Sequence, residues 1–439
     1  MKKVSLKQIE GYNKSFDKNM KRKLMQNVLA STPIDQSVRV QSRSVDIQPI
    51  FSIDIQTMGA ANQKSSGRCW IFAGTNVLRE VLGKKINVND IELSQNFVSF
   101  YDRFEKINYL LEAIIELKDA KHDDRTLAHL LQNGVGDGGQ WDMFVSIIKK
   151  YGVVPKSVYG ETYQSSNTRG MNYVINNSIK KFAAFVSKNK DNLDLVKKQK
   201  EELLATLYEF MCTCLGKPTE IFDFEYVDKD NKYHMEKDLT PKSFYDKFIG
   251  VDLDEYVSVI NAPTKDKPYY NNFTVKYLGN VVGGNDIKYL NLPIEELKEL
   301  CLKQLKDNET VWFGCDCGKY GERTSGVWDE ESYDYLSAFD IDMKVDKEDM
   351  LDYYVSAMNH AMVITGVSLK DDKVTRWKIE NSWGTEPGNK GYYLMSDSWY
   401  DSFVYQIVIN KKYLSDKQRK ALDKKTIELD PWDPMGTLA

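Results

Sequence analysis

Apolar residues recur at helical spacing from Trp70 to Lys85, where Phe72, Ala73, Val77, Leu78, Val81 and Leu82 form one stripe. A glycine-containing turn, Ser65-Ser66-Gly67, stands just before it. A similar period predicts an N-terminal helix from Ser5 to Leu29, helices near 92–117 and 140–151, and Lys/Asn-rich helix over 172–216. Alternating Val38, Val40, Val45 and Ile47 predict an edge strand in a connector. Strand-like runs follow at Ile221 to Val227 and Phe273 to Val282, with Pro263 and Pro268 before the second. The chain then turns β-rich over Thr310–Gly314, Ala361–Val367, Val374–Glu380, Tyr392–Met395 and Phe403–Ile409. A short charged helix over 413–426 and a tail over 427–439 complete it. Helix-rich and strand-rich stretches are segregated, the mark of an α+β protein.

Composition narrows the class. The 439 residues are 42% hydrophobic, 28% charged and 12% aromatic, as in an ordinary globular chain with room for more than one core. The net charge of −4 predicts no strong pull on nucleic acid or anionic membrane. Lys197-Lys198-Gln199-Lys200 reads as a solvated helix face. No segment approaches the ~20 apolar residues of a membrane span. Met1 to Lys7 lacks the apolar core of a signal peptide. Six cysteines are too sparse for a disulfide framework. Cys212/Cys214 and Cys315/Cys317 have C-x-C rather than zinc spacing, and there are four His, so neither metal nor cofactor is expected. A cytoplasmic location follows as the expectation.

Chemistry concentrates around three positions. Cys69 opens the helix beginning at Trp70, where free N–H groups and the dipole favour a thiolate. Gln63, six residues upstream, can fold its amide back, so that it and the Cys69 N–H form a two-donor oxyanion hole. Taken alone, this run also fits a buried core cysteine. Far downstream, His360 heads an apolar, partly β-branched strand, and Asn381 precedes Ser382-Trp383-Gly384 at a strand end. His360 as base with Asn381 orienting its ring gives the Cys-His-Asn form of a triad. A lone strand histidine, or an asparagine before a turn, reads equally as structure; the three contexts in order do not.

With Gln63, Cys69-Trp70, Asn359-His360 and Asn381-Ser382-Trp383-Gly384, the chain resembles the papain-like cysteine peptidases. The usual Gly-Ser-Cys is Gly67-Arg68-Cys69 here. Cys69 and His360 lie 291 residues apart, against roughly 130–150 in the ordinary pattern, an insertion of about 140–160 residues. That insertion, the runs Asp137 to Met143 and Val311 to Asp316, and the ending Asp430 to Ala439 resemble the bleomycin hydrolase and aminopeptidase C branch. The resemblance implies a two-lobed fold: an N-terminal helix and connector (1–50), a helical lobe (51–155), an inserted hook region for oligomerisation (156–300), a β-barrel-like lobe (301–412), and a C-terminal helix and cleft-occupying arm (413–439).

It also implies roles. Gly138 and Gly139 line the cleft and pair with substrate main chain. The Asn359 carbonyl meets a substrate N–H, and Trp383 covers the His360–Asn381 bond. The Ala439 carboxylate caps the non-primed side and pairs with a substrate α-ammonium. The implied enzyme is a cysteine aminopeptidase acting on peptides with a free N-terminus, assembled as a homo-oligomer, most simply a hexamer. Endopeptidase or amidase/thiolactonase activity on the same site is the alternative. A non-enzymatic scaffold on a degenerate fold is the third reading, and the intact set of four residues argues against it.

Overall fold

The computed structural model describes residues 1–46 and 48–439. Its N-terminal segment forms two helices, Leu6–Lys18 and Met20–Leu29, where the apolar period predicted one. Asn19 causes the break. Its backbone leaves the helical region (φ −91°, ψ 96°), and its side chain accepts from the Arg22 N–H at 3.0 Å, starting the second helix. Neither helix buries a residue. The edge strand expected from Val38 onward is replaced over Gln41–Asp46 by a helix. Arg43 there reaches the buried Asp329 at 2.6 Å, a contact that outweighs the β-branched alternation. Ile47 lies outside the described residues.

The Cys69–Ile86 helix is buried on nearly every side, not along one stripe; even Thr75, Asn76 and Arg79 are enclosed. A helix covered all round is central to its lobe. Helices Gln95–Glu116 and Trp141–Tyr151 pack around it. Two helices from the stretch read as inserted, Arg169–Asn189 and Leu193–Leu215, form a second apolar cluster with Gln95–Glu116 through Phe100, Leu111, Ile175, Phe182 and Met211.

A large mixed sheet makes the other half. Strand His360–Lys370 sits inside it between Val311–Cys315 and Lys373–Glu380, both antiparallel. His360 is paired in register with Cys315. Beyond Val311–Cys315 the order continues through Val404–Asn410, Tyr256–Ile260, Tyr289–Asn291, Asn271–Val275 and Ile427–Leu429. Residues 256–291, within the stretch the sequence reads as inserted, thus supply three strands of the sheet that carries His360. The strand-like run from Phe273 stops at Val275 and turns.

One buried contact joins the halves. Arg79, on the Cys69 helix, reaches Glu380 at 2.7 Å, with both side chains at most 2% exposed. Asn76, one turn earlier, donates to the same carboxylate oxygen at 2.7 Å. Glu380 directly precedes Asn381. Burial raises its carboxyl above the usual range, and Arg79 opposes that rise. Removing one partner of such a pair strands the other charge and costs about 3–5 kcal/mol. Arg79→Met is therefore expected to lower stability by about that amount, and adding Glu380→Gln to recover part of it. Chemical denaturation of the two variants checks this; a double variant no more stable than Arg79→Met would assign the cost elsewhere.

Candidate active site

Cys69 is the first residue of its helix and is 4% exposed. The Ala361 N–H, next after His360, reaches the thiol, as do those of Trp70 and Cys69 itself. Helix and strand therefore bring residues 69 and 360 into one site. His360 Nε2 bonds Asn381 Oδ1 at 2.8 Å, which fixes the ring and leaves Nδ1 as the other ring nitrogen. Asn381 Oδ1 also accepts from the Ser382 N–H at 2.7 Å. The Trp383 ring stacks on His360 at 4.9 Å between centroids, and the Arg323 guanidinium caps its outer face at 4.7 Å.

Gln63 belongs to the same cluster. Its backbone N–H donates to the Ser382 carbonyl at 2.8 Å, and its Oε1 accepts from Ser382 Oγ at 2.6 Å. The Ser66 carbonyl, which can only accept, fixes which way the amide faces. One Nε2 hydrogen goes to the Ser66 carbonyl at 2.6 Å; a second remains to donate. Ser382 had no assigned part in the sequence, though it stands beside Asn381. Asn359 is exposed, and its side-chain amide donates to the buried Asp316 at 2.5 Å.

Asp137 organises the opposite wall. Its carboxylate accepts from the Gly67 N–H (2.9 Å), from Asn172 (3.0 Å), and from Arg103 and Thr168. Its carbonyl accepts from Trp70 Nε1 at 2.7 Å. Burial opposes the charge, but Arg103 and these donors hold the carboxyl down at about 2. The loop before Cys69, the Trp70 ring and the loop after Asp137 are thus tied to one anion. A Cβ on Gly139 would overlap the Trp70 ring, so only glycine lets the two meet. The signal for this hub was present as charged residues in otherwise apolar helices, Arg103 and Lys106 among them; Lys106 donates to the Gly138 carbonyl.

The C-terminal tail crosses the cleft. Thr437 Oγ1 donates to the Met358 carbonyl at 2.7 Å on the His360 side. The Leu438 carbonyl accepts from the Gly139 N–H at 2.9 Å on the other. A Cβ on Gly138 would strike that same carbonyl. Leu438 joins Cys69 in one buried cluster, while Ala439 is exposed and its carboxylate has no salt bridge among the described residues. The tail is not extended throughout: Pro434–Gly436 makes a single helical turn capped by Asp433.

Arg68, standing where the resembled pattern has serine, is 1% exposed. It makes a two-pronged pair with Glu161 at 3.2 and 2.9 Å, linking the cysteine turn to the start of the insertion.

Burial of Cys69 works against the thiolate that the helix terminus favours. Burial pushes the Cys69 thiol up to about 11, and the three N–H groups only offset part of that. Burial likewise pushes His360 down to about 4 against the pull of Asn381. Burial therefore disfavours either charge standing alone.

Among the described residues no group of three or more His, Cys, Asp or Glu could hold a metal, and no helix is long and apolar enough to cross a membrane. The Peptidase C1-like family matches residues 3–436. The chain is similar to aminopeptidase C of Listeria monocytogenes serovar 1/2a, 43% identical across 99% of both chains. It is also similar to aminopeptidase C of Lactobacillus delbrueckii subsp. lactis, 44% identical over 100% of this chain and 99% of that one. The crystal structure of pepw from Lactobacillus rhamnosis superposes with a TM-score of 0.97 at 42% identity, over 100% of this chain and 99% of that one. The two-lobed papain-like fold expected from sequence is the fold these relatives share.

A pH prediction follows from His360. Unfolding returns the ring to its ordinary value of 6.5, whereas the folded site holds it near 4. Below 6.5 the unfolded chain takes up a proton that the folded one refuses. The stability this group contributes is therefore present above 6.5 and lost as pH falls toward 4, by at most about 3 kcal/mol. His360→Gln should flatten the stability profile across that window in pH-dependent denaturation. Parallel profiles for the two proteins would contradict the buried neutral ring.

Proposed function

This chain belongs to the Peptidase C1-like family and is a cysteine aminopeptidase of the aminopeptidase C branch, and from that premise we propose that it works through a Cys69–His360–Asn381 triad, with its own C-terminal arm limiting cleavage to free N-termini. The observation that carries the arm's role is the bond from the Gly139 N–H to the Leu438 carbonyl. An extended peptide lying in the cleft would need that same donor.

The chemistry is acyl transfer. Substrate entry lets the His360 ring take the Cys69 proton; the resulting thiolate–imidazolium pair carries no net charge, so burial opposes it less than either ion alone. The thiolate attacks the carbonyl carbon of the N-terminal residue. The oxyanion is met by the spare Gln63 N–H and the Cys69 N–H. His360 returns the proton to the leaving amine, and water, deprotonated by the same ring, releases the acyl group. Asn381 keeps the ring oriented, Trp383 keeps water from the His360–Asn381 bond, and the Asn359 carbonyl meets a substrate N–H. The exposed Ala439 carboxylate pairs with the substrate's α-ammonium.

The enzyme is further proposed to be cytoplasmic and to assemble as a homo-oligomer, a hexamer by resemblance. Supporting this, the N-terminal helices leave Leu6, Tyr12, Met20 and Leu24 exposed, more apolar surface than a lone chain needs. Light scattering should return a multiple of the 50.7 kDa chain mass; the single-chain mass at micromolar concentration would refute assembly.

Two variants test the site. Cys69→Ser should abolish turnover with the fold intact, because it exchanges only sulfur for oxygen in a side chain of nearly the same shape. Gln63→Ala should lower kcat by about 10²–10³-fold. Deleting Gly436 to Ala439 tests the arm. Cleavage of N-acetylated peptides should appear while aminopeptidase activity falls. A truncated enzyme that still demands a free N-terminus would mean that some other element is the cap.

A further inference from the structure

The tail is secured some distance before it reaches the cleft. Asp433 uses both carboxylate oxygens. One accepts from the Met435 N–H at 2.8 Å and starts the turn that carries the chain toward Cys69. The other meets Lys267 Nζ at 2.8 Å, with side chains 9% and 3% exposed. Lys267 comes from a turn within the insertion, and that turn is rigidly built. The buried Asn291 side chain accepts from the Ala262 N–H at 2.9 Å and donates to the carbonyls of Ala262 (2.9 Å) and Lys267 (2.6 Å). Asn291 itself lies on a strand of the main sheet. The cation is therefore presented from the same framework that carries His360.

Past Asp433 the tail is held by uncharged hydrogen bonds, from Tyr289 Oη to the Met435 carbonyl at 3.3 Å and those of Thr437 and Leu438 already described, and by two weaker contacts. Met435 is fully buried, but apolar burial does not set register. Trp432 rests on Arg125 at 3.6 Å, but the arginine is exposed. A charge-assisted bond between buried partners fixes both distance and direction.

We propose that Lys267 is a specificity-determining residue: by pairing with Asp433 it holds the arm across the cleft and so restricts the enzyme to free N-termini. This rests on the reading of the arm as the cap. It gives the insertion a part in selectivity besides assembly. Lys267 is a positioning residue, acting through Asp433 and the turn after it.

Asp433→Asn is the cleanest probe. The amide oxygen can still accept from Met435, and Lys267 keeps Asp266 at 2.9 Å, so no buried charge is stranded. Cleavage of N-acetylated peptides should rise at least tenfold relative to free-amine peptides. KM for free-amine peptides should rise several-fold with kcat nearly unchanged, and the thermal midpoint should stay close to that of the unaltered protein. Lys267→Met should shift the ratio the same way, and Lys267→Arg should restore it. A purely structural ion pair would instead lower both activities by one common factor. In the enzyme lacking Gly436 to Ala439, Asp433→Asn should add nothing. If that truncation opens the cleft while Asp433→Asn and Lys267→Met keep the original ratio, the latch is overturned and the cap stands. If the truncation itself fails to open it, the cap reading falls first.

Discussion

The buried pair between Arg79 and Glu380 is the constraint on which the site depends. Cys69 rides on a helix and Asn381 follows a strand, and the backbone joins their surroundings through the short bridge of Asn62 with Trp383. A slip of a single residue along the strand would turn Asn381 away from His360. The pair opposes this because a slip would part a guanidinium and a carboxylate that are both out of water, and stranding either charge is costly. Gln63 adds a second tie near the surface by bonding Ser382 through main chain and side chain alike. Asp137 holds the far wall in the same manner, around one anion.

Much of this was legible in the sequence. Cys69, His360 and Asn381 each stand in a local context that physical chemistry can read: a helix start, a strand head and a strand end. The period of apolar residues located the Cys69 helix to within a residue or two at each end. It failed over Ser5 to Leu29 because one capping asparagine breaks a continuous pattern. It failed over Val38 to Asp46 because a distant carboxylate, Asp329, holds Arg43. Charge state is harder to read from sequence for a related reason. Helix position is local and visible, whereas burial depends on everything packed around the site, including the tail that arrives from the end of the chain.

The contacts hidden from the sequence share a character. Arg68 with Glu161, Arg79 with Glu380, Arg103 with Asp137 and Lys267 with Asp433 all join residues far apart in the chain. Each places a charge where local reasoning expects solvent. Arg68 is the most telling, since it looked like a departure from a pattern. Its side chain is long enough to reach Glu161, which a serine is not, and so ties the cysteine turn to a distant part of the chain.

The stretch of tail bonded to Gly139 is joined to the rest of the protein by an unbroken chain. A separate peptide making the same few bonds would be lost on dilution; a tethered one has an effective concentration set by geometry, on the order of millimolar or above. Occupancy of the cleft is then independent of how much enzyme is present. It depends on chain continuity, so a single backbone cut between the Ile427–Leu429 strand and Leu438 would turn a permanent fixture into a weak, dissociable ligand.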